Sequence, residues 1–293
     1  MEHVFELLDI SRHVSSEFSL QHVNLAASPG EVIGLVGANG AGKTTLIRAI
    51  LGLLHLDAGE VRLFGEPFGT NAADEQQRRL RSRVGVVFDT CPYPALSVKQ
   101  AMACVAPAFP AWDATTFGRL LERFEISPKA KVKELSRGMG MKLQLAVALS
   151  HQAELLVLDE ATAGLDPLAR DEILDLLRDF ASEGEHGVLL STHITTDLER
   201  IADRVAGIDA GRVIFDLPRE DITDLAGIAH CTHDQARELL VRNEATRALE
   251  RDYSTDALVS DRFAFAKQYP SIPCDRSSID DYLQFCLRGT RSL

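Results

Sequence analysis

The stretch EVIGLVGANGAGKTTLIRAILGLL, residues 31–54, limits what this chain can fold into more than any other. A short β-branched apolar run follows the turn signal Pro29-Gly30, passes into glycines and continues as the helical run KTTLIRAILGLL. The alternation of strand and helix returns later. ELLVLDE (154–160) reads as a buried strand, DEILDLLRDFA (171–181) as an amphipathic helix and GVLLSTH (187–193) as another strand. Such alternation implies an α/β fold on a mostly parallel sheet. Roughly residues 90–150 offer no convincing strand but several helical stretches, among them ATTFGRLLERFEI, so a helical subdomain is expected there as an insertion into the α/β core. After the hairpin-like GIDAGRVIFD (207–216) the composition turns polar at LPREDITD. That shift sets the expected boundary between a domain over 1–218 and a C-terminal appendage over 219–293. Within the appendage, SSIDDYLQFCLRG reads as a helix capped by Ser278, with Asp281 three residues on.

GANGAGKTT, Gly37 to Thr45, fits G-x-x-x-x-G-K-[ST] between a predicted strand and a predicted helix, the context the pattern requires. Gly37, Gly40 and Gly42 let the backbone wrap phosphates closely, while N–H groups and the helix N-terminus supply positive potential. Lys43 is placed to neutralise the β and γ oxygens and Thr44 to ligate Mg²⁺; Asn39, Ala41 and Thr45 complete the candidate phosphate cradle. The pattern points to a bound nucleotide. LLVLDE ends in two adjacent carboxylates, Asp159 and Glu160, whose side chains are expected to leave an extended backbone in opposite directions. Asp159 is then the candidate for the metal and Glu160 the candidate general base toward an attacking water. His193, closing GVLLSTH, is a third group brought to the carboxyl edge of the sheet, where open α/β folds bind ligands.

Composition narrows the partners. With 31 basic against 43 acidic residues, net −12, the surface is not one that holds a nucleic-acid backbone by counterion release, so no nucleic-acid partner is expected. The five cysteines are scattered, odd in number and without a C-x-x-C pair, which suggests neither a disulfide framework nor a zinc site and fits a reducing cytoplasm. MEHVFELLDISRH carries acids where a signal peptide needs a basic start and an uninterrupted apolar core. The longest apolar stretch, AMACVAPAFPAW, is 12 residues with two prolines, too short to span a bilayer. A membrane role would come through a partner.

ELSRGMGMKLQLAVALS, residues 134–150, puts Ser136, Gly138 and Gly140 at the entry of an apolar helix, which is how a chain aims a hydroxyl and free N–H groups at an anion. Taken in order, GANGAGKTT, LSRGM, LLVLDE, AGLD and the histidine of STH resemble the nucleotide-binding subunit of an ABC transporter, over residues 4 to about 216. The resemblance implies an ABC-type P-loop NTPase core with N-terminal antiparallel strands beside the parallel sheet, the inserted helical subdomain and a small C-terminal appendage. It implies hydrolysis of ATP with Mg²⁺. It further implies a head-to-tail dimer, either a homodimer or a heterodimer with a similar ATPase subunit. There Ser136 and the N–H groups around Gly138 would contact the γ-phosphate of the partner's ATP, and Asp166 of AGLD would communicate across the dimer.

Several positions depart from the family pattern. LSRGM replaces LSGGQ, so Arg137 would add a cation near the partner's nucleotide, and DEAT replaces DEPT at Ala161. Asp89 of FDTCPYP stands where the family carries the Q-loop glutamine, from which it would approach Mg²⁺ through water. The aromatic expected near residues 13–15 to stack on adenine is missing, since RHVSSEF offers only His13, Val14 and later Phe18. FD at the Q-loop, FPAWD at 109–113, LSRGM and the C-terminal SIDDYLQFCLRG resemble the ABC-2 type, bacitracin-export and YtrB-like subgroup. That implies a separately encoded polytopic ABC-2 type membrane subunit, outward transport, and a cytoplasmic chain held peripherally on the inner face of the cell membrane. The competing class is a soluble ABC-type ATPase in a non-transport machine. A phosphotransferase or GTPase would share the P-loop but leave the signature, Asp166 and His193 without a role. The appendage is read equally as a regulator, a dimer cap or a cover for the sheet edge.

Overall fold

The computed structural model describes residues 3–69, 74–93 and 95–291. Terminal residues of both expected domains therefore lie outside the described residues. In chain order the first half runs β1 (Phe5–Ser15), β2 (Phe18–Ala27), β3 (Val32–Val36), α1 (Lys43–Ile50), β4 (Ala58–Leu63), β5 (Glu66–Phe68), α2 (Asp74–Arg81), β6 (Val84–Val87), α3 (Val98–Val105), α4 (Ala114–Arg123) and α5 (Arg137–Ser150). It continues with β7 (Leu155–Asp159), α6 (Pro167–Ser182), β8 (Gly187–Ser191), α7 (Thr195–Ile201), β9 (Arg204–Asp209) and β10 (Arg212–Pro218). The last part is β11 (Gly227–Cys231), α8 (His233–Val241), β12 (Arg247–Glu250), β13 (Thr255–Val259), α9 (Arg262–Gln268), β14 (Cys274–Arg276) and α10 (Ile279–Arg288).

A six-stranded sheet of order β10-β9-β3-β8-β7-β6 forms the centre, parallel except for the β9–β10 hairpin. Its inner strands are apolar along their middles, with polar residues only at their ends, because both faces are covered. Ile33 and Leu35 of β3 face one layer, together with Leu46, Ile47 and Ile50 of α1 and the antiparallel sheet β2-β1-β4-β5. Val32 and Val36 face the other, against α5, α6 and α7 through Leu145, Leu177 and Leu198. The alternation is the strand period of two; α5 instead is buried nearly all round, because Leu143 and Val147 meet α3 and α4 while Met141 and Leu145 meet the sheet. Among the described residues between β6 and β7, helices and turns are joined only by one isolated bridge, Ser97 to Lys131.

The last part folds as a βαββαβ unit, an antiparallel sheet of order β12-β13-β11-β14. Ala229, Cys231, Ala257 and Val259 turn to α8 and α9, while Leu258 meets Phe285 of α10 on the opposite face. The capping box expected at Ser278 is present. Helix α10 also ties this unit to the core: Tyr282 meets Phe215 of β10 edge-on at 5.2 Å, and Ile279 N–H donates to Glu199 Oε1 of α7. Among the described residues no helix is long and apolar enough to cross a membrane.

Candidate functional site

β3 lies between β9 and β8, where the strand order reverses, so the loop after it opens at the carboxyl edge of the sheet. The loop's shape is forced by its neighbours. A Cβ on Gly37 would stand 2.3 Å from the Ile208 carbonyl of β9, and one on Gly42 2.8 Å from Phe18 Cζ. Gly42, with φ +118°, begins α1 without a side-chain cap, and the first turn carries no acid. The first N–H groups and the dipole of α1 therefore face the cleft, an arrangement that suits an anion. Lys43 is 6% exposed, yet its Nζ reaches only carbonyls, Gly37 O at 2.7 Å and Ala38 O at 3.4 Å, besides the Glu160 carboxylate at 3.6 Å.

Of the loop candidates all but Ala41 line a cleft of about 790 Å³, and Asp89, Glu160 and His193 line it with them. Ala41 is buried and acts through its backbone, accepting from Gly211 N–H at 2.9 Å. Glu160 sits just beyond β7 with φ +52°, so the expected extended geometry does not hold there. The left-handed turn is held by Glu160 N–H donating to Ser191 O at 2.9 Å, and of the two acids only Glu160 lines the cleft. Glu160 Oε2 pairs with His193 Nδ1 at 2.5 Å, and Oε1 faces Lys43.

Asp159 ends β7, and its Oδ1 is buried without any hydrogen-bond partner. An orphaned carboxylate oxygen is costly unless something completes it, and a divalent cation fits. Among the described residues no group of three or more His, Cys, Asp or Glu stands ready to hold a metal. Asp159 is not among the residues that line the cleft with Thr44, so a cation completed by Asp159 Oδ1 would draw its remaining ligands from groups outside such a cluster, phosphate and water among them.

The signature residues lie elsewhere in the same chain. Ser136 caps α5, accepting from Met139 N–H at 3.2 Å, and borders a second cavity of about 430 Å³; neither it nor Gly138 nor Asp166 lines the nucleotide cleft. Gly138 leaves room for Leu165, since its added Cβ would be 3.1 Å from Leu165 Cδ2. Asp166 caps α6 through Ala169 N–H at 3.0 Å. Within this chain Arg137 pairs with Asp89 and lines the cleft. In the second cavity burial pushes the Cys91 thiol and the Tyr93 hydroxyl up, so both stay neutral.

Sequence reasoning named Phe18 without giving it a role, and it lines the cleft against Gly42; it missed Gln144, which is 1% exposed. Gln144 accepts from Phe88 N–H at 2.9 Å and donates to Phe88 O at 3.0 Å, pinning the end of β6 to α5. A lone amide in the apolar run KLQLAVAL was its signal.

A glycine loop at a sheet switch point, a buried lysine and a carboxylate oriented by histidine define an α/β nucleoside-triphosphate-binding site. The model of the ABC transporter family matches residues 20–163. The bacitracin transport ATP-binding protein BcrA of Bacillus licheniformis is 31% identical over 221 residues, 74% of this chain and 71% of that one. The Nod factor export ATP-binding protein I of Burkholderia orbicola is 37% identical, over 70% of this chain and 68% of that one. The methionine import ATP-binding protein MetN of Rhizobium etli is 35% identical, over 87% and 74% respectively. A solved ATP-binding subunit of an ABC transporter superposes with a TM-score of 0.67 at 27% identity, over 75% of this chain and 91% of that one. The chain belongs to the ABC transporter family, as an ATP-binding subunit and an ATPase.

Proposed function

We propose that the chain binds Mg-ATP in the cleft over the P-loop, completes the site with the signature of a second, similar subunit paired head to tail, and couples hydrolysis to export through a separate polytopic ABC-2 type membrane subunit. The observation that carries the reading is how the motifs divide: the P-loop, Glu160 and His193 converge on one cleft, while Ser136, Gly138 and Asp166 of the same chain lie outside it. One chain then holds two half-sites, and a homodimer or a heterodimer with a similar subunit would join them.

Within the half-site, Lys43 and the N–H groups of the loop and of α1 bind and orient the phosphates. Asp159 and Thr44 would hold Mg²⁺, which when bound neutralises phosphate charge. Glu160 takes the proton of the attacking water, and His193 on its Oε2 keeps the carboxylate aimed. Phe18 supplies the aromatic face for adenine. Export follows the names of the bacitracin and Nod factor relatives. The chain would sit in the cytoplasm, held peripherally on the membrane's inner face by its partner, with an ATPase domain over 1–218, its helical subdomain at about 90–150, and an appendage over 219–293.

The test is affinity capture of tagged Glu160→Gln from its own cells in mild detergent with Mg-ATP, identifying co-purifying proteins by mass spectrometry. A stoichiometric multi-span membrane protein is expected. Recovery of soluble partners alone would move the chain to the soluble, non-transport class of ABC-type ATPases.

A further inference from the structure

A cation and an anion meet at the mouth of the nucleotide cleft. Asp89 is the first residue released after Phe88, whose N–H and carbonyl are both held by buried Gln144. Arg137 is the first residue of α5, and its guanidinium pairs with the Asp89 carboxylate. The same guanidinium lies over Gly164, between Glu160 and Asp166: Gly164 has φ +75°, and an added Cβ would stand 2.8 Å from Arg137 Nη1. Asp89 and Arg137 both line the nucleotide cleft with Lys43 and Glu160, and both also line the adjoining cavity with Ser136, so the pair forms the partition between the two.

Charge explains why both residues depart from the family pattern together. Left alone, Asp89 would put a second carboxylate, beside Glu160, into a cleft shaped for a triphosphate, and like charge there weakens binding. Arg137 cancels it. The pair is nevertheless well solvated, with side chains 44% and 57% exposed, so it contributes little to holding the fold together. A terminal phosphate carries up to about two negative charges and three acceptor oxygens against the single charge of a carboxylate, so it draws the guanidinium more strongly. Exchange of the carboxylate for a terminal phosphate is therefore favourable once one arrives.

We propose that Asp89 and Arg137 form a charge latch in cis: Arg137 neutralises Asp89 in the open cleft and passes to the terminal phosphate of the nucleotide bound by its own chain, releasing Asp89 and the segment that follows. Arg137 is thus a determinant of triphosphate over diphosphate. The proposal rests on reading the cleft as the nucleotide site.

The experiment measures the affinity of the full chain for ADP and for a non-hydrolysable ATP analogue, each with Mg²⁺, at protein concentrations where sedimentation shows a monomer. Arg137→Ala should weaken the ATP analogue about tenfold and leave ADP within about twofold, while Arg137→Lys recovers part of the loss. Asp89→Asn should tighten the analogue about threefold, and by a different factor in the Arg137→Ala background, where it removes an uncancelled carboxylate instead of freeing the guanidinium, the sign of coupling. Equal effects on ADP and the analogue, or independent effects of the two substitutions, would overturn the latch. So would a loss that appears only in the dimer, which would assign Arg137 to the partner's nucleotide. Lys43→Ala in parallel separates the two readings: if it leaves both affinities intact, the nucleotide site itself is misassigned.

Discussion

The ATP-binding core and the C-terminal βαββαβ unit treat their polar groups in opposite ways. In the core, Asp159 Oδ1, Thr162 Oγ1 and Ser191 Oγ are buried without partners around the edge where Glu160 adopts a left-handed backbone. In the C-terminal unit no described buried side-chain nitrogen or oxygen lacks a partner, and helices α8 and α10 both begin with closed capping boxes. His230 there is held on both sides, Nδ1 to Asp256 at 2.9 Å and Nε2 to Asp275 at 3.0 Å, across three neighbouring strands. Single orphans such as His3 Nδ1 and Arg12 Nε occur away from that edge, and Asn243 of the C-terminal unit is also left-handed, so it is the cluster of three orphans beside Glu160 that marks a region a ligand completes. The difference locates the chemistry at the carboxyl edge of the core sheet.

The comparison breaks most directly at Lys43. Lys43→Ala should lower ATP turnover at least about 100-fold, because the one cation at the base of the loop is lost; a phosphate-release assay checks this. Loss on that scale from a substitution in the C-terminal unit, such as His230→Gln, would erase the distinction.

A smaller effect separates the regions by pH. His151 in the core is 3% exposed, stacked on Phe109 at 4.0 Å, and donates Nδ1–H to Ser82 O at 3.0 Å. Burial holds its pKa down at about 4 from the usual 6.5. Below pH 6.5 the unfolded chain takes up a proton that the folded chain refuses, so stability falls as pH drops from 6.5 to about 4. The total is on the order of 3 kcal/mol. His151→Phe should be the less stable protein near neutrality, having lost the hydrogen bond, and should close the gap on acidification; thermal melts at stepped pH would show it. A gap that widens instead would mean that the imidazole is charged in the fold.

The smallest effect has the opposite sign. His230 is raised, first by its hydrogen bond to Asp256 and then by that to Asp275, against partial burial. Its contribution is therefore full below the unfolded pKa near 6.5 and is lost as pH rises through the raised folded value. Because its side chain is 44% exposed, solvent screens most of it, and His230→Gln should cost less than about 1 kcal/mol even at its maximum. The cost in melts should shrink toward alkaline pH, with ATP turnover unchanged. A pH-independent cost would reduce the clasp to simple packing.

Much of this was legible along the chain. EVIGLVGANGAGKTT, the strand and helix alternation, the helical stretch before β7 and the Ser278 capping box rest on neighbours within a turn or a strand, where period and side-chain chemistry act locally. Glu160 illustrates the limit. Two acids at a strand end were visible, but the left-handed φ of Glu160, held by Ser191 31 residues away, was not. The appendage's role stayed open because its strands are short and its sheet order β12-β13-β11-β14 depends on long-range pairing.

The sequence by itself determined the phosphate loop, because glycine conformation, lysine charge and helix polarity are properties of nine consecutive residues, Gly37 to Thr45. It also determined the α/β class, through the apolar periods of its segments. Only the tertiary structure decided that Phe18 covers Gly42, that Gln144 pins β6, and that Arg137 turns to Asp89 of its own chain. Each of those contacts joins segments more than 20 residues apart, and the spacing of residues within a segment carries no information about which distant surface its side chains will meet.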